Sequence, residues 1–218
     1  MTATAQPRRA RGSGRHGDAV PTGNTYDKYG SNNPVVRRLM AGFERNMYEL
    51  LERAGPRTIL DVGCGEGVLT EVFADRVEGG RVVGIDLDDP KLKREWAARS
   101  RDNLEFHAAA ADELPYGAGE FEAVTAMEVL EHVPAPEAVL AEMSRVASAW
   151  LLVSVPREPL WRALNMARGS YLRDLGNTPG HLNHWSRRAI ADLLRGYGEI
   201  AELRSPFPWT MALVRVGS

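Results

Sequence analysis

Three residues in the first half of the chain have the types and spacing of a ligand-binding turn. Asp61, Gly63 and Gly65 belong to the stretch Leu60-Asp61-Val62-Gly63-Cys64-Gly65-Glu66-Gly67, which continues an apolar run. Glycines let a ligand come close to the backbone, and a helix that opens behind them offers free N–H groups. A carboxylate just before the glycines suits a ligand that carries an ammonium group. The stretch therefore predicts a site for a nucleotide-like ligand with a cationic part.

A second acidic residue narrows the choice among ligand classes. Asp86 lies 21 residues beyond Gly65 at the end of the next apolar run, where an acidic side chain typically binds ribose hydroxyls. The dinucleotide fingerprint needs a third small residue at the position of Val68, and the phosphate-binding loop with its lysine is missing. These departures, together with the negative charge at Asp61, disfavour a pyrophosphate cofactor and hence a nucleotide-dependent oxidoreductase.

The histidines are the candidates for acid–base chemistry. His132 closes the motif Glu128-x-x-Glu131-His132, and His181 and His184 lie close together further along the chain. A neutral imidazole with a pKa near about 6.5 is suited to taking the proton of a phenol or enol-like hydroxyl. We predict His181, His184 and His132 as catalytic residues, although a structural role remains an alternative for each. We assign no role to His107.

A metal site is an alternative use of the same region. Glu128, Glu131 and His132, joined by His181 or His184, offer ligands that a divalent metal accepts. We nevertheless predict no bound metal.

The order of apolar runs and amphipathic segments predicts the elements that position these residues. Strands are expected at 58–62, 81–86, 104–108, 122–127, 150–155, about 199–205 and about 210–216. Helices are expected within 26–53 and near 67–77, 90–99, 136–147 and 187–195. This alternation predicts an α/β fold, a doubly wound and mostly parallel seven-stranded sheet. The candidate residues then share the rim formed by the C-terminal ends of the strands.

Two helical segments flank this sheet. An N-terminal helix presents the apolar stripe Val35, Leu39, Phe43, Met47 and Leu50. Residues 156–185 contain a helically spaced set, Leu160, Leu164, Tyr171 and Leu175, and follow directly on a strand. We predict that this segment is a helical lid over the substrate site. A surface excursion without that role is the alternative.

Composition and charge limit the partners. Residues 58–155 hold nineteen acidic and eight basic side chains, which disfavours nucleic acid at the ligand site. No apolar run approaches the roughly 20 residues of a membrane helix, and the lone cysteine, Cys64, fits a cytoplasmic protein. We predict a disordered arm over 1–23 without an export signal, and one domain over 24–218 in a monomer or homodimer.

The motifs together resemble those of class I S-adenosylmethionine-dependent methyltransferases. The resemblance extends from the glycine turn through Gly84-Ile85-Asp86, the segments 112–116 and 121–124, and Glu128-Val129-Leu130-Glu131-His132-Val133. It includes the broad group of ubiquinone-pathway O-methyltransferases and natural-product methyltransferases. It covers about residues 26–200, and it implies a Rossmann-like fold with S-adenosyl-L-methionine as cofactor.

The resemblance also implies roles for individual residues. Asp61, Gly63 and Gly65 would hold the methionine part of the cofactor. Asp86 would bind the ribose hydroxyls and Leu87 would pack on adenine, while Met127 would line the cofactor near the methyl group. The remaining implied contacts, at the adenine edge, are Ala111 and Asp112. One departure concerns this edge, because Ala110 stands where relatives often carry an aspartate.

The resemblance implies a small-molecule methyltransferase, and a hydroxyl oxygen is the acceptor we favour. An N-methyltransferase, a non-catalytic cofactor-binding partner and a metal-dependent RNA 2′-O-methyltransferase are the alternatives. The acceptor is expected to carry an acidic group, because arginines lie in the segments predicted to form its mouth. These are Arg37, Arg38, Arg157, Arg162, Arg168 and Arg173.

Overall fold

The sheet of the computed structural model has the predicted class and order of elements. The structure describes residues 33–77, 79–167, 169, 171 and 174–217. The predicted arm over 1–23, the start of the predicted N-terminal helix, and Arg168 and Arg173 lie outside these residues.

Seven strands form one sheet, and each predicted strand is found within three residues of its expected bounds. They are β1 Thr58–Val62, β2 Arg81–Asp86, β3 Leu104–Ala108, β4 Phe121–Met127, β5 Ala147–Pro156, β6 Glu199–Arg204 and β7 Trp209–Arg215. Their order is β3-β2-β1-β4-β5-β7-β6, parallel except for β7, which is antiparallel to both neighbours. The strand order reverses between β1 and β4, which is where ligands bind in such sheets.

Helices cover both faces of the sheet. They are α1 Pro34–Ala54, α2 Val68–Arg76, α3 Pro90–Arg99, α4 Pro136–Val146, α5 Leu160–Ala167 and α6 Arg187–Leu194. Apolar side chains of α1 and α2 pack in one core, and those of α4 and α6 pack in the other, on buried Val, Ile and Leu of the strands. Burial of these side chains supplies most of the free energy that favours folding.

The bounds of α1 follow from its terminal residues. Asn33 accepts a hydrogen bond from the N–H of Val35, and Pro34 occupies the first turn, where no backbone donor is needed. Gly55 ends the helix in the left-handed conformation. The predicted apolar stripe was wrong at Val35, which lies in the first turn of the helix and is 65% exposed.

The helix predicted within 156–185 is shorter than its apolar spacing indicated. The α-helix that the described residues of this segment form is α5, and Asn165 is its buried residue. Tyr171 and Leu175, expected on the same face, follow the helix and have φ angles of 54° and 50°, which a helix does not allow. A lid role for this segment stays a prediction.

Candidate active site

The glycine turn connects β1 to α2 at the C-terminal rim of the sheet. Its glycines Gly63, Gly65 and Gly67 have φ angles of 70°, 55° and 83°, values that residues with a Cβ rarely adopt. A Cβ on Gly63 would lie 2.5 Å from Cγ2 of Val129. By contrast, among the described residues nothing lies within 4 Å of the Cβ position of Gly65. The turn is therefore closed on the side of Gly63 and open to a ligand at Gly65.

Asp61 lies beneath this turn and is almost fully buried. Its two carboxylate oxygens each accept a hydrogen bond of 2.7 Å, one from Thr125 Oγ1 and one from Thr70 Oγ1. Burial raises the pKa of Asp61 to about 6, and the two threonine hydrogen bonds oppose this rise. Thr125 was not predicted from the sequence; it reaches Asp61 because the two residues are register partners in β4 and β1.

Asp86 joins the end of β2 to the glycine turn. Its Oδ2 accepts a hydrogen bond of 2.7 Å from the N–H of Gly65, and its Oδ1 accepts one of the same length from Leu87. Burial raises the pKa of Asp86, while these backbone donors lower it. Leu87 is 42% exposed beside this carboxylate, which leaves an apolar surface at the rim.

Helix α3 holds the turn from outside, a contact that the sequence did not indicate. Trp96 Nε1 donates to the carbonyl of Gly65 over 2.7 Å, and Arg99 Nε donates to the carbonyl of Glu66 over 2.9 Å. The Trp96 ring stacks on Phe106, with centroids 5.7 Å apart. Hydrogen bonds from β2, through Asp86, and from α3 therefore fix the backbone of the turn, and Phe106 of β3 packs on Trp96.

The loop after β3 carries Ala111 and Asp112, which are half-buried and exposed respectively. Arg145 of α4 fastens this loop by donating to the carbonyls of Leu114 and Tyr116. Glu142 completes the contact by accepting from the N–H of Leu114 over 2.9 Å, and its ion pair with Arg145 lowers the pKa of Glu142 to about 2. Neither Arg145 nor Glu142 was predicted as part of the site.

The end of β4 places Met127 and Glu128 at the same rim. Met127 is buried and packs in the core cluster that includes α1. Glu128 has a φ of 61°, a strained value for a residue with a side chain. Its carboxylate accepts hydrogen bonds from Ser154 Oγ and from Trp209 Nε1. Trp209 in turn contacts the rings of Phe43 and Trp161.

The three predicted catalytic histidines lie together beyond β4. The His181 ring centroid is 4.9 Å from that of His132 and 6.5 Å from that of His184. Trp161 of α5 lies against His181, with centroids 6.3 Å apart. His184 Nε2 is 2.7 Å from Asn177 Oδ1. The chain thus brings residues from two segments, about fifty positions apart, into one histidine cluster.

Only part of the alternative metal set comes together. Glu131, His132 and His181 each offer one ligand atom, and these atoms lie within 4.8 Å of one another. Glu128 is instead engaged with Ser154 and Trp209, and His184 is not a member of this group. His107 lies apart on β3, beside Glu105.

Comparison with known proteins identifies the family to which the chain is similar. Residues 35–198 match a family model described as a methyltransferase domain. A ubiquinone biosynthesis O-methyltransferase from Methylococcus capsulatus is 34% identical over 155 residues, which are 63% of this chain and 64% of the relative. The chain spans between 39% and 64% of the length of the first four such relatives.

Solved structures agree in fold. Magnesium protoporphyrin IX methyltransferase from Synechocystis, with bound SAH, has a TM-score of 0.62 at 18% identity, covering 86% of this chain and 90% of that one. The 1,6-didemethyltoxoflavin-N1-methyltransferase from Burkholderia thailandensis has a TM-score of 0.61 at 20% identity, covering 82% and 79%. Within the described residues, no helix has the length and apolar character needed to cross a bilayer.

The enzyme class and the cofactor predicted from the motifs, S-adenosylmethionine, are therefore confirmed by the family match. The chain belongs to the methyltransferase domain family.

Proposed function

We propose that the chain transfers a methyl group from S-adenosylmethionine to the hydroxyl oxygen of a small molecule. The cluster of His132, His181 and His184 at the rim that carries the glycine turn is the observation that supports this proposal. The names of the ubiquinone-pathway relatives support oxygen as the acceptor atom.

The glycine turn fits this cofactor. The open position at Gly65 gives a ligand access to the backbone, and Asp61 places negative charge where the methionine part of the cofactor carries its ammonium group. When bound, S-adenosylmethionine supplies a methyl group activated by its positively charged sulfur. In our proposal Asp61, Gly63 and Gly65 hold its methionine part, Asp86 holds the ribose and Leu87 packs on adenine. Ala111, Asp112 and Met127 complete its surroundings.

The histidine cluster acts on the acceptor. Aligning a nucleophile with an activated group contributes up to about 7–11 kcal/mol to lowering a barrier, and Trp161 provides an apolar surface near His181 for that purpose. The acceptor hydroxyl must also lose its proton, and a positioned base accelerates such steps by about 10²–10⁴-fold. The cluster supplies this base.

The proposal also covers the acceptor's charge and the setting in which the chain acts. Arg37, Arg38 and Arg157 support an acceptor with an acidic group, to which they would offer positive charge. Arg162 is a weaker candidate, because its Nε donates to the carbonyl of Leu175. We also propose a cytoplasmic monomer or homodimer that acts without nucleic acid.

An acceptor panel tests the function. The purified full chain is incubated with S-adenosylmethionine and matched phenols, alcohols and amines, with and without a carboxylate, and formation of S-adenosylhomocysteine is measured. We expect turnover with hydroxyl acceptors and its loss in His181→Asn. Turnover with amines alone would establish the N-methyltransferase alternative. Tight cofactor binding without any product would favour a non-catalytic partner.

A further inference from the structure

A groove of about 520 Å³ lies between the first half of α1 and the turn that precedes β7. Val35, Leu39 and Phe207 line part of it with apolar side chains. We propose that this groove binds a small organic anion with an apolar body, and that this anion is the remote end of the methyl acceptor. The role toward the acceptor rests on the proposed function, whereas anion binding does not.

The groove lies at the rim of the sheet that carries the proposed active site. Phe43 of α1 contacts Trp209, with which β7 begins beside the end of β5. Further along the helix, Arg53 pairs with Glu202, the register partner of Leu213 deeper in the sheet. The helix therefore descends from the rim, and the residues that precede Phe43 lie at the rim or beyond it.

Two arginines give the groove a positive charge. Arg38 and Arg45 line it from positions two helical turns apart, and both are exposed. Among the described residues, neither guanidinium has an ionic or hydrogen-bonding partner, and none of the described acidic side chains lines the groove. Guanidinium groups bind carboxylate and phosphate oxygens through paired hydrogen bonds. The charge of the groove therefore favours an anionic ligand.

Gly42 leaves an open notch in α1 between these two arginines. A glycine inside a helix is destabilising relative to alanine, and such a residue commonly has a packing or functional reason. Within the described part of the chain, nothing lies within 4 Å of the position that a Cβ on Gly42 would occupy. No described protein atom uses this space, so a ligand can approach the helix backbone there.

The volume and charge of the groove indicate the class of ligand. Sites of this volume are typical for small molecules. The first 32 residues of the chain contain five basic and two acidic side chains, so they carry the same sign of charge as Arg38 and Arg45 and do not complement the groove. The ligand we assign is a soluble small molecule with an apolar body and one carboxylate, phosphate or sulfonate group.

The neighbours of the groove connect it to the histidine cluster. Leu39 lines the groove and also packs against the core cluster that contains Met127 and Trp209. The Trp209 ring lies 5.9 Å from that of Trp161, which lies 6.3 Å from that of His181. An acceptor that extends from the groove to the histidines is therefore elongated, with its hydroxyl at one end and its anionic group at the other.

Two fluorescent probes test anion binding on the purified full chain. 8-Anilinonaphthalene-1-sulfonate and N-phenyl-1-naphthylamine share one apolar ring system, and only the first carries a sulfonate. We expect about one equivalent of the sulfonate probe to bind, about tenfold or more tightly than the neutral probe. Arg38→Gln and Arg45→Gln should each weaken binding of the sulfonate by about tenfold or more, and they should leave binding of the neutral probe unchanged.

Gly42→Leu separates ligand binding from folding. Leucine fills the notch, its Cβ meets no described atom within 4 Å, and it favours a helix more than glycine does. We expect this variant to unfold at a higher temperature than the wild type and to bind the sulfonate probe more than about tenfold more weakly. Arg188→Gln is the matched control, because Arg188 lies on α6 with a side chain that is 93% exposed, and it should bind the probe as the wild type does.

Two results would overturn the groove as a site for a soluble anion. The first is binding of the sulfonate probe that stays unchanged in Gly42→Leu, Arg38→Gln and Arg45→Gln, or that shows no preference over the neutral probe. The second is cosedimentation of the wild type with phosphatidylglycerol vesicles that these three variants abolish, because the anion would then be a lipid headgroup. Either result leaves methyl transfer standing.

Kinetics test the role toward the acceptor. With a carboxylate-bearing hydroxyl acceptor from the panel, the sulfonate probe should inhibit competitively, and Arg45→Gln should raise KM by about tenfold at nearly unchanged kcat. An unchanged KM in Arg45→Gln would overturn the link between groove and acceptor. Probe binding as expected, without methyl transfer to any hydroxyl, would overturn the proposed function and leave the anion site standing.

Discussion

The carboxylate of Asp86 accepts a hydrogen bond of 2.7 Å from the backbone N–H of Gly65. The residue proposed to bind the ribose therefore also fixes the turn proposed to hold the methionine part. Cofactor affinity should depend on Asp86 through both contacts.

Asp86→Asn tests this double role. The substitution replaces the carboxylate that faces the N–H groups of Gly65 and Leu87 with a neutral amide. A hydrogen bond to a charged acceptor contributes about 1.5–3 kcal/mol. We expect calorimetry to give S-adenosylmethionine affinity about 10- to 150-fold weaker. Asp88→Asn is the control, because this neighbouring carboxylate is 69% exposed and should leave affinity unchanged. Equal affinities for both variants would contradict the assignment of Asp86.

The pH dependence of cofactor binding tests Asp61. Because its pKa is about 6, the carboxylate is mostly ionised at pH 7 and mostly protonated at pH 5. If an ammonium group binds the ionised form, affinity should be about tenfold weaker at pH 5 than at pH 7. Asp61→Asn should remove this dependence, and a wild-type affinity that stays flat over this range would contradict the role of Asp61.

The folding stability of the ligand-free protein should fall as pH rises, whereas cofactor affinity should rise. A carboxyl group whose pKa rises from 3.8 to about 6 on folding contributes stability below pH 3.8, and this contribution is lost as pH rises through 6. The ionised, buried form then costs about 3 kcal/mol at pH 7. Asp61→Asn should unfold at higher denaturant concentration than the wild type at pH 7, with a smaller difference near pH 4. A variant less stable than the wild type at pH 7 would oppose this account.

Two glycines of one turn should respond differently to the same substitution. Gly63→Ala meets both a positive φ and the methyl groups of Val129, so we expect destabilisation of about 1–3 kcal/mol. Gly65→Ala has the backbone strain but open space, and its main effect should be loss of cofactor affinity. Thermal unfolding and calorimetry separate the two effects. Adding Val129→Ala should partly restore the stability of Gly63→Ala but do nothing for Gly65→Ala.

Arg145 should influence the cofactor site from a distance. Arg145→Gln loses the hydrogen bonds that hold the carbonyls of Leu114 and Tyr116, so the loop with Ala111 and Asp112 becomes less fixed. We expect weaker cofactor binding at nearly unchanged thermal stability. Arg188→Gln is the control, since the ion pair of Arg188 lies within its own helix and is exposed.

Local pattern was sufficient to predict much of this molecule. The strand–turn–helix at Asp61–Gly67, the alternation of elements and the position of Asp86 follow from apolar runs and glycines that act on their immediate neighbours. The convergence of His132 and His181 could be proposed because parallel strands end at one rim. The details of that convergence depend on hydrogen bonds between distant backbone segments. Such bonds produce no repeating pattern of residue types in the sequence.

Residues that support the site from another element could not be found in this way. Trp96 and Arg99 resemble ordinary helix residues, and their role depends on how α3 docks against the turn. The extent of α5 was overestimated for a related reason, because apolar spacing continued past Ala167 while Tyr171 and Leu175 took positive φ angles. Backbone conformation of that kind is determined by tertiary context.

Trp209 joins parts of the chain that would otherwise vary independently. Its ring contacts Phe43 of α1 and Trp161 of α5, and its Nε1 donates to Glu128 at the end of β4. Helices α1 and α5 flank the region where the acceptor is proposed to enter. A change of acceptor that required either helix to shift would disturb the indole of Trp209, which both helices contact. It would also disturb Glu128, the residue with the positive φ angle that this indole binds. Diversification of substrate range in this architecture should therefore proceed by correlated substitutions at these four positions.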